Sequence, residues 1–112
     1  MNPLRLIETS PGKYSLLLNA GSTPVDTAVQ SLGHEPHGYF WAAVARLLVG
    51  VEAPDLGGRF SFDPEAGMFC AYGTDRGALE ALSKLLTPVV TDADQARKAV
   101  ALAVAKGVDL DD

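Results

Sequence analysis

The chain has 112 residues, 47% hydrophobic and 21% charged, which suits one globular domain over 1–112. At that length folding buries roughly 65% of the surface the open chain exposes, enough for a core without metal or disulfide staples. Fourteen acidic against nine basic residues give a net charge of −5, a poor match for a nucleic-acid backbone and a better one for a basic protein partner.

The single cysteine, Cys70, excludes an intrachain disulfide and fits a reducing compartment. "MNPLRLIETSPG" has no apolar region of signal-peptide type. The longest apolar stretch, "GYFWAAVARLLVGV", is too short to span a bilayer and carries Arg46. A soluble, cytoplasmic, non-membrane protein is expected.

Residues 4–9 and 14–19 read as two strands around "SPGK", where Pro11-Gly12 suits a type II turn. Leu16, Leu17 and Leu18 put apolar side chains on both faces of the second strand, as in a strand covered on both sides or lying along an edge. A helix follows, with Thr23 as its cap, Pro24 at its first position, Asp26 in its first turn, and Val25, Val29 and Leu32 as its apolar face. Gly33 ends it, and "HEPHG" is a linker. The next helix, 39–49, is apolar around most of its circumference and so is predicted to be the central buried one. Tyr39, Phe40 and Trp41 point about 100° apart, so one of them, Tyr39 at the helix start, is expected at the boundary.

A second hairpin pairs 59–63 with 68–73. Phe60 and Phe62 share a face, Asp63-Pro64-Glu65 opens a type I turn, and Gly67 supplies a positive φ. Phe60, Phe62, Phe69, Trp41, Val44 and Leu48 are predicted to be largely buried. Thr74 caps a helix to about Leu86, with Leu79, Leu82 and Leu86 as its stripe and Pro88 ending or kinking it. Asp92 and Gln95 form a capping box for a last helix over 93–106, which Gly107 ends. The order β-β-α-α-β-β-α-α predicts an α+β domain, with an antiparallel sheet of about four strands packed by about four helices.

The chemistry-bearing residues are few. Asp63 and Glu65, two apart around Pro64, suit a solvated turn better than a converging acid–base pair. Cys70 lies mid-strand, and a reactive thiol needs a base that lowers its pKa. The two histidines, His34 and His37, both lie in the linker and lack metal-ligand spacing. No Walker loop, GxGxxG, CxxC or GxSxG is present. No catalytic residue, cofactor or metal is assigned.

"YSLLLNAG" at 14–21, "LGHEPHGYFW" at 32–41 and "GRFSFDPEAGMFCAYG" at 58–73, closed by "GVDLDD", resemble the immunity protein 51 family of bacterial polymorphic toxin systems. The resemblance implies a small cytoplasmic protein that binds and neutralises a cognate toxin and is not an enzyme. It carries over no functional residues. The toxin-binding candidates come instead from loop carboxylates and an aromatic anchor: Asp63, Glu65, Glu35, Tyr39, Asp109, Asp111 and Asp112. Two alternatives stand beside this reading. One is an accessory module holding a small ligand near Tyr39–Trp41; the other is a small hydrolase using Asp63, Glu65 or Cys70.

Overall fold

The computed structural model describes residues 2–111, so the candidate Asp112 lies outside the described residues. Its elements are β1 (Arg5–Ser10), β2 (Lys13–Asn19), α1 (Asp26–Ser31), α2 (Gly38–Glu52), a 3-10 turn (Pro54–Leu56), β3 (Ser61–Phe62), β4 (Met68–Gly73), α3 (Arg76–Thr91) and α4 (Ala93–Lys106). The predicted α+β order holds. The sheet is antiparallel throughout, in the order β1-β2-β4-β3.

The pleat divides the sheet into two unlike faces. Leu16, Leu18, Phe69 and Ala71 point to one side and are fully buried there. Helix α2 packs on β4, and α3 lies across β2 and β4. Helix α4 forms a further layer against α1, α2 and α3. Phe40, Trp41, Val44, Leu48, Leu79, Leu82 and Leu86 fill the space between, which confirms α2 as the central helix. The opposite face carries Ile7, Leu17, Met68, Cys70 and Tyr72, all half-buried or exposed.

Several local expectations need correction. Helix α1 starts at Asp26 rather than Pro24, and the Thr23 hydroxyl turns back to the Asp26 carboxylate instead of capping a longer helix. Leu32 falls past its end and is exposed. Helix α2 is longer than predicted, because the His37 ring Nδ1 accepts from the Phe40 N–H at 2.9 Å and starts the helix a residue earlier. The cap of α3 is Asp75, accepting from the Ala78 N–H at 3.0 Å, rather than Thr74. Pro88 sits inside α3 without ending it. Its missing N–H frees the carbonyl of Lys84, an exposed residue, so water can satisfy that group while Val89 and Val90 stay buried. Asp92 accepts from the Asp94 N–H at 2.9 Å to start α4, and Gly107 ends it at φ 68°.

The second hairpin is tighter than predicted. Glu65 and Met68 exchange backbone hydrogen bonds of 2.8 and 3.1 Å, so the turn centres on Ala66-Gly67, and Gly67 does not take a positive φ. With only two residues in β3, Phe60 and Phe62 are half-buried rather than buried. Their rings meet edge to face at 5.6 Å, and the Arg46 guanidinium lies 4.9 Å over Phe62.

Candidate functional site

Asp63 and Glu65 are exposed, and they stand on the same side of the sheet. Asp63 continues the β3–β4 pairing, with its N–H on the Cys70 carbonyl at 3.0 Å. Alternation then places its side chain on the open face beside Cys70 and Tyr72. Both carboxylates therefore border the cysteine. Burial pushes the Cys70 thiol above its ordinary value. A hydrogen bond with Ser15 works against that rise, and the negative charges of Asp63 and Glu65 add to it. The thiol is thus held protonated, the reverse of what nucleophilic attack requires.

The histidines are engaged elsewhere. His37 caps α2 through Nδ1, which fixes its proton on Nε2 when the ring is neutral, and its ring meets Tyr39 edge-on at 5.5 Å. The His34 Nδ1 lies 2.8 Å from an Asp111 carboxylate oxygen. Its ring packs 5.7 Å from Phe40. Among the described residues, no group of three or more His, Cys, Asp or Glu side chains is placed to hold a metal ion.

The linker is the junction of the acidic loops. The Gly38 N–H donates to the Ala66 carbonyl at 3.1 Å. A Cβ on Gly38 would lie 1.9 Å from the Glu65 carbonyl oxygen and 2.2 Å from that of Met68, so only glycine lets the linker sit down on the hairpin turn. On its other side the linker holds the tail through His34 and Asp111. Glu35, Tyr39, Glu65 and Asp111 are thereby gathered around residues 34–38.

Two of the tail carboxylates have local work. Asp109 accepts from the Asp111 N–H at 2.8 Å, and Asp111 meets His34, which together seat the buried Leu110. Tyr39 is 40% exposed, while Phe40 and Trp41 are packed into the core with rings 4.9 Å apart. The boundary position predicted for Tyr39 is where the structure puts it. Sequence reasoning missed the His37 cap, since histidine is an uncommon one. It also missed the shared face of Asp63, Glu65 and Cys70, although the two-residue spacing of 63 and 65 in an extended chain was the available signal.

Among the described residues no helix is long and apolar enough to cross a membrane. No curated protein and no solved structure matches the chain. The family model Immunity protein 51 matches residues 4–103, nearly the whole chain, and with it the linker, both hairpins and all four helices but for the last turn of α4. The chain belongs to the immunity protein 51 family.

Proposed function

We propose that this protein neutralises a cognate toxin of a bacterial polymorphic toxin system by direct protein–protein binding, in the cytoplasm, without catalysis of its own. The family match over residues 4–103 is the observation that carries the reading. The site chemistry supports it. A protonated thiol flanked by two carboxylates and histidines committed to a helix cap and a tail contact do not add up to an activated nucleophile.

The toxin-facing region in this reading is the acidic end around the linker. Glu35, Asp63 and Glu65 supply negative charge, joined by the tail carboxylates Asp109, Asp111 and Asp112, and Tyr39 supplies an apolar contact. Against a basic toxin, exposed carboxylates of this kind act more on the rate of encounter than on the final affinity. Association kinetics across a salt series test this. Association should slow as salt rises, and neutralising Asp63, Glu65 and the tail aspartates together should remove that dependence. A rate indifferent to both changes refutes the steering. Protection of cells by the Cys70→Ser protein, which keeps the size of the side chain and removes the thiol, tests the absence of catalysis, and it should protect fully.

A further inference from the structure

Both central strands are apolar on both faces. Strand β2 contains Leu16-Leu17-Leu18, and β4 runs Met68-Phe69-Cys70-Ala71-Tyr72. In an antiparallel sheet with one wet face, the outward positions are normally polar. Here the helices take Leu16, Leu18, Phe69 and Ala71, while Leu17, Met68, Cys70 and Tyr72 lie on the side without helices. The register sets these residues in rows. Arg5, Leu17, Cys70 and Asp63 form one row, and Ile7, Ser15, Tyr72 and Ser61 the next. Tyr72 and Ile7 are among the most exposed large hydrophobic residues, at 46% and 40%.

The face is also polarised. Asp63 and Glu65 stand on its β3 side, and Arg5 and Lys13 on its β1–β2 side. Beside Tyr72 an open cleft of about 400 Å³ is lined by Lys13, Ser15, Asp63, Cys70 and Thr74. An aromatic ring, a carboxylate and two hydroxyls around a recess are the groups that receive a cationic side chain.

We infer that the open sheet face is the docking surface for the toxin, with Tyr72 as its anchor and a lysine or arginine of the toxin seated in the cleft against Asp63. This rests on the toxin-binding reading and deepens it by naming the surface. Charge favours a separate, basic partner over a second copy, since two copies would each bring −5. The apolar face alone covers only a few hundred Å², from four strands about 4.8 Å apart and three outward rows. A standard interface takes about 800 Å² from each partner. The contact therefore continues over the turn at Glu65–Met68, on which Gly38 is seated, to Glu35 and Tyr39. The acidic end and the sheet face are two parts of one footprint.

The test is binding of the toxin domain encoded beside this chain's gene to the wild-type protein and to Tyr72→Ala, Asp63→Lys, Ile7→Arg and Val104→Glu. Tyr72→Ala and Ile7→Arg should each weaken binding about tenfold or more with thermal unfolding unchanged. Asp63→Lys should slow association at low salt and approach wild type at high salt. Val104→Glu, on the exposed side of α4, should bind as wild type. Ile7→Arg keeps the test decisive if Tyr72→Ala misfolds. Wild-type affinity in the three sheet-face variants overturns the inference while leaving neutralisation intact. Failure of the wild-type protein to bind overturns the functional reading itself. A wild-type dimer that Tyr72→Ala makes monomeric, with toxin affinity unchanged, assigns the face to a second copy and also overturns the inference.

Discussion

On the helix side of β4, Phe69 and Ala71 are completely buried; one residue to either side, Met68, Cys70 and Tyr72 meet the open face. The backbone is the same and the side chains are apolar on both sides, so hydrophobicity alone does not say which row is core. What separates them is which side the chain's own helices cover. The inner row is held by contacts within the fold. The outer row, half-buried among its own neighbours at Met68 and Cys70 and exposed at Tyr72, has no helix over it, and an apolar row left uncovered in this way is one a partner can cover.

Substitutions on the two rows should behave differently, and the largest effect belongs to the inner one. Phe69→Ala removes a fully buried ring between β4 and the helices, and should cost about 3–5 kcal/mol in denaturant unfolding. A loss no greater than that of an exposed aromatic would erase the distinction between the faces. Next comes Gly38→Ala, where the added methyl has no room against two backbone carbonyls. The linker or the turn must shift, at about 1–3 kcal/mol, and the variant should lose toxin affinity beyond what its stability explains. Unchanged stability and binding would show that the linker and the hairpin are not joined there.

His37→Ala removes the acceptor for the Phe40 N–H and should lower stability by about 1 kcal/mol, the usual worth of a helix cap. Smallest is the thiol. Cys70 should alkylate more slowly in the native protein than in urea at the same mildly alkaline pH, because its native pKa is raised by burial and by Asp63 and Glu65. The linked stability is present below the unfolded thiol's pKa and is lost as pH rises through the native one. Faster alkylation in the native state would put an activated nucleophile on the open face and favour the hydrolase alternative.

The order of elements was legible because periodicity and punctuation agreed. Leu79, Leu82 and Leu86 mark one helix face, and Asp92 and Gly107 mark both ends of α4. Errors gathered where a local rule met a tertiary contact. Pro88 reads as ending or kinking its helix; the ending does not occur, because buried Val89 and Val90 hold the helix beyond it. Gly67 reads as a positive-φ residue, but the turn closes without one. Leu17 carried the clearest message about the site, since a run of three leucines reads as a strand covered on both sides or lying along an edge, and β2 is an interior strand. The chain supplies only one cover. The seating of Gly38 on the turn was not legible, because nothing in "HEPHG" names its partner 27 residues or more downstream.

Trp41 is the chain's one tryptophan, and it lies 1% exposed on the helix side of the sheet, with its indole N–H meeting no acceptor among the described residues. Such an indole emits to the blue of a hydrated one and is shielded from dissolved quenchers. Its fluorescence should follow unfolding faithfully, yet stay dark to events on the far side of the sheet. The molecule thus carries its own optical control: a variant that no longer holds the toxin but keeps the emission of Trp41 has lost a surface and kept its fold.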